Sequence, residues 1–465
     1  MSSIDILITG ASWLLTMDSK RRILKDGAVA IQGNRIVDVG KTPDLLPKYP
    51  NPKETIDARG RLVMPGLVNG HFHSTQQLAR GLADNVFAPT WIHDRAYPYE
   101  AACTSDDVYL ASLCSCLEAI KTGTTCFADP GGYHMDRAAQ AVEETGIRAV
   151  LSRSMVDIHT AGRPIPGKMR EDTRAALDGG EEFVSRYHGA AGGRIRAWFS
   201  LRTERMVSDD LCLRTKELAG KYKTGVESHN SSVYDSVLRH KEIHHGLRPV
   251  ERYYKIGLLG PNVLLYHMNW LTDAEVDMLQ ETDTKITHCP TAAFMGGYGT
   301  LQSKHVDMLH RGITVCLGSD NGLESNFNDM FKVMYCATAH RDYRQDATLL
   351  PPEQLLEMTV TNGYRACLWD DECGTLEPGK KADLIILETS GPEWIPIHNP
   401  VSNLVHAADG HSVRTSVIDG KVVMKEGRIL TVDEDEILAR AQTAALDIAR
   451  RSGLEVFGQP KWPVV

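Results

Sequence analysis

His71 and His73 stand on either side of one phenylalanine, directly after the apolar run LVMPGLVNG. In an extended chain alternate side chains share a face, so both imidazoles project to one side, ~7 Å apart at the backbone and able to converge on one ion. The pair alone is weak evidence, because two histidines that merely satisfy hydrogen bonds make the same pattern. Three further residues close candidate strands: His229 in GVESHN, His267 in NVLLYHM and Asp320 in ITVCLGSD. Two or three imidazoles with one carboxylate hold a borderline divalent cation such as zinc, cobalt or iron and leave a position open for water. Such a cation lowers the pKa of its water from ~15.7 toward about 7, which is the chemistry of hydrolysis at neutral pH.

These residues are far apart in the chain, so the elements that carry them must bring them together. Apolar runs alternate with segments of helical period such as 106–120 and 135–144. Candidate strands are LVMPGLVNGHFH, TTCFAD, IRAVLSRSMV, RIRAWFSL, GVESHN, NVLLYHM, KITHC and ITVCLGSD. Eight strand-plus-helix units over roughly 260 residues suit a closed (β/α)8 TIM barrel, whose strand ends all open on one face. An open doubly wound sheet would want a glycine-rich phosphate loop after its first strand, and the sequence has none there. The first sixty residues and the segment ADLIILET to GRIL share a different texture, short β-rich pieces broken by turn residues. The expected organisation is a composite β-sandwich from residues 1–62 and 375–432, a barrel over 63–374, and a helix with tail over 433–465 whose acidic start and basic end suit the helix dipole.

Acidic residues (60) outnumber basic ones (51) in the 465-residue chain, giving a net charge of −9 that disfavours nucleic acid and anionic membranes as partners. A neutral small-molecule substrate is expected. No stretch approaches the ~20 apolar residues of a membrane span, and the first residues lack the order of a signal peptide, so a cytoplasmic location is expected. The ten cysteines are scattered and read as buried free thiols, the Cys114/Cys116 pair having no usual zinc spacing.

The segments MPGLVNGHFHSTQQLARG, Trp91 with Tyr97 and Pro98, ITHCP, GSDNGLESNFNDMF and GTLEPGKKADLIIL resemble the metal-dependent amidohydrolases, in the branch of atrazine chlorohydrolase, guanine-type deaminases and the phenylurea and molinate hydrolases. The resemblance implies a barrel flanked by a composite β domain, with His71, His73, His229 and Asp320 as metal ligands. It implies His267 as a partner of the hydrolytic water or of the substrate's polarised atom, and a homo-oligomer. Binuclear members carry a bridging lysine on the fourth strand. RIRAWFSLRTE has none, so one divalent metal ion, cobalt or zinc before iron, is expected, with no organic cofactor. The mononuclear deaminases and the chlorohydrolase carry a glutamate three residues beyond the fifth-strand histidine. Here that position is Ser232. Protonating a ring nitrogen by a positioned acid contributes ~10² to 10⁴ in rate, whereas hydrolysis of a urea or thiocarbamate depends on it less, since Asp320 can carry the proton to the leaving amine. The sequence therefore favours a hydrolase of a small urea or thiocarbamate, of the molinate or phenylurea type, in which metal-activated water attacks the carbonyl carbon. The alternatives are a deaminase or dechlorinase of an N-heterocycle (triazine, purine, pterin) and a metal-free scaffold of the same fold.

Gln76, three residues after His73, Trp91 in a loop, and His288 at the seventh strand end are candidate substrate contacts. Ser325 and Asn326 are expected to hold the loop after Asp320 by hydrogen bonds to backbone. His244 and His245 read as helix surface, and His305, His310 and His340 have no partner that the sequence identifies.

Overall fold

A computed structural model describes residues 4–464 apart from 87, 160–162 and 164. Eight parallel strands form one sheet in sequential order: β1 (Leu67–Asn69), β2 (Thr124–Asp129), β3 (Arg148–Met155), β4 (Ile195–Thr203), β5 (Val226–Asn230), β6 (Val263–His267), β7 (Lys285–His288) and β8 (Val315–Leu317). Nearly every residue in them is buried, as continuous apolar runs in a doubly covered parallel sheet require. Several helices between them start at side-chain caps, for instance Thr104 with Asp107 and Thr272 with Glu275, each satisfying amides that the first turn leaves free.

The barrel closes between β1 and β8 through their continuations. Gly70 N–H donates to Leu317 O at 2.8 Å, Asp320 N–H donates to His71 O at 2.9 Å, and Phe72–His73 pairs in parallel with Asp320–Asn321. Glycine is required at this seam by close approach. A Cβ on Gly318 would lie 2.7 Å from His71 N, and one on Gly70 would lie 2.5 Å from Cys316 Sγ. Inside the barrel, Val68, Cys126, Val150, Trp198, Leu264, Tyr266 and Cys316 pack on Tyr364 and Trp369, so the interior is filled and only the strand-end mouth is open to chemistry.

Two further sheets lie beside the barrel, one of four strands and one of seven. The seven-stranded sheet interleaves both chain ends, with Leu384–Glu388 paired to Arg61–Pro65 on one side and to Val413–Ile418 on the other. Ile8, Val29, Ile31, Val63, Leu384, Ile386 and Val417 form the core between the sheets. The run LVMPGLVNGHFH is three pieces, Arg61–Pro65 in the sandwich, Leu67–Asn69 in the barrel and Phe72–His73 in the seam. The break falls at Gly66, where a Cβ would overlap Thr125. The expected boundary at residue 62 therefore cuts a sandwich strand. Sandwich and barrel are tied by a fully buried ion pair, Arg148 of β3 to Asp383 at 2.6 and 3.0 Å, with Asp419 at 3.2 Å. Helix Glu434–Arg451 packs on helix Ser105–Lys121. All ten cysteines are free, and nine are buried. No helix among the described residues is long and apolar enough to cross a membrane.

Candidate active site

The five residues that end apolar runs meet at the barrel mouth. His73 Nε2 lies 3.3 Å from His229 Nε2. Asp320 Oδ1 lies 3.3 Å from His71 Nε2 and 3.5 Å from His73 Nε2, and its Oδ2 lies 4.0 Å from His267 Nε2. Ring centroids are 4.9 Å apart for His71–His73 and His71–His229, and 5.2 Å for His71–His267. All five are at most partly accessible, His71 not at all.

This donor set fits one divalent cation on several counts. Two nitrogens ~2.1 Å from a tetrahedral ion lie ~3.4 Å apart, close to the separation found here. Both ring nitrogens of His71 are buried without a hydrogen-bond partner, although Asp320 is near: proximity outside hydrogen-bonding geometry is what donors facing a shared ion show. His229 Nδ1–H donates to Arg202 O at 2.7 Å, which turns the Nε2 lone pair inward, the usual outer support of a metal-binding imidazole. Burial drives the His71, His73 and His229 pKa values well below that of free imidazole, helped by the neighbouring imidazoles, so the rings are held in their neutral, ligating form. His71 stacks on Tyr266 with centroids 3.9 Å apart, and the Tyr266 hydroxyl donates to Glu227. Burial raises Glu227 to about 8.

Two of the five residues have strained backbones. His267 (φ 70°) and Asp320 (φ 73°) are left-handed, a conformation costing a non-glycine residue roughly 1–2 kcal/mol. Such strain persists where the surroundings over-determine it, commonly at functional sites.

The cavity over this cluster is walled by Gln76, Trp91, Ile92, Thr203, Glu204, Ser232, Asp235 and Tyr298. Gln76 lines this cavity. Its Nε2 donates to Glu100 Oε1 at 2.7 Å, which leaves its buried Oε1 without a donor. Trp91 is a half-buried wall packed against Ala293 and Tyr298. His288 is not among the walls. It is fully buried behind the cluster, where it stacks on His305 at 3.9 Å and places Nε2 3.3 Å from His340 Nε2. The expected role for His288 as a substrate contact is corrected accordingly: β7 ends one step short of the mouth, and helix Pro290–Gly296 begins directly after it. Ser325 Oγ–H donates to Ser319 O, and Asn326 accepts from Gly81 N–H at 2.8 Å, so both hold the loop after Asp320.

Some wall residues escaped the sequence reading. Glu204 lies just beyond β4, is 1% exposed, accepts from Ser236 Oγ–H, and donates its own N–H to His229 O at 3.2 Å. Arg202 and Glu100 form a buried pair at 2.9 and 3.0 Å. Tyr298 donates to Glu324, a carboxyl pushed far up by burial and by Asp320. A larger cavity of about 470 Å³ adjoins the far side of the Glu100–Arg202 pair, and none of the five clustered residues lines it.

Residues 62–423 match the amidohydrolase family, and residues 27–51 match an imidazolonepropionase-like composite domain of bacteria. The chain belongs to the amidohydrolase family. It is 35% identical to the 5'-deoxyadenosine deaminase of Methanosarcina mazei over 96% of this chain and 99% of that one. Its fold is similar to that of an adenosine deaminase from Xanthomonas campestris with bound zinc (TM-score 0.90, 25% identity, 97% of this chain and 99% of that chain). It is also similar in fold to atrazine chlorohydrolase from Arthrobacter aurescens complexed with zinc (TM-score 0.86, 22% identity, 95% and 100% covered). The chain is thus a hydrolase of carbon–nitrogen bonds other than peptide bonds, and its histidine and aspartate groups suit one divalent metal ion. Among finer activities, the relatives back heterocycle deamination, the alternative reading of the sequence, better than urea or thiocarbamate hydrolysis.

Proposed function

We propose that the chain deaminates an amino-substituted N-heterocycle of purine type by hydrolysis. The observation that carries the proposal is the gathering of His71, His73, His229 and His267 around Asp320, in a chain that matches 5'-deoxyadenosine deaminases almost end to end. His71, His73, His229 and Asp320 would hold the ion, which when bound lowers the pKa of a water toward about 7. His267 is placed to hold that water or the polarised substrate atom, and Asp320 Oδ2, which faces His267, to take a proton from the water and pass it to the departing amine. Gln76 Oε1 offers an acceptor to an N–H or O–H of the substrate, and Trp91 an aromatic wall.

Ring deamination also needs an acid for a ring nitrogen, and Ser232 cannot be one. Glu204 supplies a buried carboxyl on the same cavity wall, from the neighbouring strand end. A second reading, cleavage of a small urea or thiocarbamate of the molinate or phenylurea type, keeps one observation in its favour: Ser232 stands where the deaminases of the resembled branch carry their glutamate. Incubating the metal-loaded protein with 5'-deoxyadenosine, methylthioadenosine, 8-oxoguanine, molinate and a phenylurea separates the two. Ammonia release from a purine is the expected result. Amine release from molinate or the phenylurea, with the purines untouched, would overturn the proposal in favour of the second reading.

A further inference from the structure

His288, His305 and His340 form a second buried group of imidazoles, with ring nitrogens within 4.8 Å of one another. Its rings do not radiate from a common centre. His288 and His305 stack at 3.9 Å and 26°, and His305 and His340 are 6.3 Å apart, whereas the rings of the first cluster are spaced by 4.9 to 5.5 Å. The group is a packed column rather than a coordination sphere.

What the column holds is set by His305. Ser303 Oγ lies 2.6 Å from His305 Nδ1, and His305 Nε2 lies 2.7 Å from the main-chain oxygen of His267. A carbonyl oxygen only accepts, so the Nε2 carries the proton and Ser303 donates to the Nδ1 lone pair. On the β7 side, the pairing of β6 ends at Tyr266 with Thr287, one residue before His267. From there the chain turns through two consecutive left-handed residues, His267 (φ 70°) and Met268 (φ 54°), neither of them glycine. The Met268 N–H is taken by Asn230 O at 3.1 Å, while the His267 carbonyl faces His305.

We propose that His305 is a positioning residue for His267. The chain from Ser303 through His305 to the His267 carbonyl locks the turn after β6 in its left-handed form, with His288 and His340 bracing the His305 ring, and so keeps the His267 imidazole beside Asp320. The inference rests on the proposed reading only in giving His267 work to do in the site.

The test compares crystal structures of the metal-loaded protein, His305→Phe and His305→Gln. Phenylalanine keeps the stacked volume but cannot donate, and glutamine can donate. In His305→Phe the turn is expected to relax and His267 Nε2 to move from Asp320 by about 1 Å or more, a misplacement that costs roughly 10²-fold in kcat. For whichever compound is turned over, KM should change far less than kcat, and the metal should remain at one equivalent. His305→Gln should keep the native turn and most of the turnover. An unmoved His267 in His305→Phe, or a glutamine variant as impaired as the phenylalanine one, overturns the proposal. Should His305→Phe fail to fold, Ser303→Ala removes the tautomer lock while keeping every ring. A smaller shift in the same direction supports the proposal, and an unmoved His267 overturns it. The crystallographic readout needs no substrate, so it stands or falls separately from the proposed reaction.

Discussion

Glutamine in place of Glu204 is the most informative single change in the cavity. The side chain is almost fully enclosed; Ser236 Oγ–H donates to its Oε1, a bond that glutamine Oε1 accepts equally well, and Arg205 Nε lies 3.9 Å from the same oxygen. Shape and fold should therefore survive, while the transferable proton and the charge facing Arg205 are lost. A positioned acid contributes ~10² to 10⁴ in rate, which is about 2.7–5.4 kcal/mol of barrier at ~1.36 kcal/mol per decade. Glu204→Gln should lower kcat for purine deamination by that factor, measured as ammonia release, with metal content unchanged. Any urea or thiocarbamate turnover should fall by less than about tenfold, because no ring nitrogen has to be protonated there. Adding Ser232→Glu to this variant should restore deamination, since it returns a carboxyl to the wall three residues after His229. Deamination by Glu204→Gln at more than one-tenth of the native rate would show that the ring proton comes from elsewhere, and would refute the argument that β4 replaces the missing acid of β5.

Asp320→Ala should abolish turnover and metal retention by elemental analysis while leaving far-UV circular dichroism unchanged, because it removes the only carboxylate of the cluster. Arg148→Met should cost about 3–5 kcal/mol in denaturant unfolding by stranding Asp383 uncompensated, and the double change Arg148→Met with Asp383→Leu should recover much of it. Burial raises the Asp129 carboxyl to about 6 from its usual 3.8, against the hydrogen bonds from Ser74 and Gly131. The folded state therefore holds this proton where the unfolded chain has released it, and stability contributed by the group is lost as pH rises from about 4 to 6. Asp129→Asn should flatten that segment of the stability curve. Stripping the metal with a chelator should lower stability by about 2.7 kcal/mol relative to protein at a metal concentration of 100 times Kd, and zinc or cobalt should restore it in a thermal melt.

The five clustered residues were legible because each stands at or just beyond the end of a candidate strand, and parallel strands in a barrel deliver their ends to one rim. His229 and His267 needed nothing more than the period of their strands. Glu204 was not legible, since it lies beyond the apolar run of β4 and becomes a wall residue only when the chain after Thr203 turns back across His229. The relatives back the alternative to the reading drawn from Ser232; that reading assumed that an acid must come from the strand that lost it, whereas under the proposed function a neighbouring strand of the rim supplies one. His305 and His340 stand at helix starts 38 and 52 residues from their partners His267 and His288, and no local pattern encodes how those helices dock. The sandwich boundary was misplaced because Arg61–Pro65 and Leu67–Asn69 are equally apolar, and only the crowding of Gly66 against Thr125 separates them.

The seam of the barrel and the reactive cluster are built from the same peptide groups. His71 gives its carbonyl to Asp320 N–H, and the strand that carries His73 pairs with the one that carries Asp320. The chain thus closes its cylinder by bringing together three of the side chains that would hold the cation. The carboxylate is held to the histidines by main-chain hydrogen bonds of the closed barrel, with no need of direct hydrogen bonds between the side chains. This explains how His71 can keep both ring nitrogens free of partners in a fully buried setting. The cost of leaving a ring nitrogen bare, about 1–3 kcal/mol for each unsatisfied buried group, is borne by the folded barrel, and a cation held by Nε2 would return the share of that atom. Metal binding and barrel closure are therefore coupled through the register of β1 against β8, and a change that slips that register, such as a Cβ at Gly318 pressed against His71 N, acts on both at once.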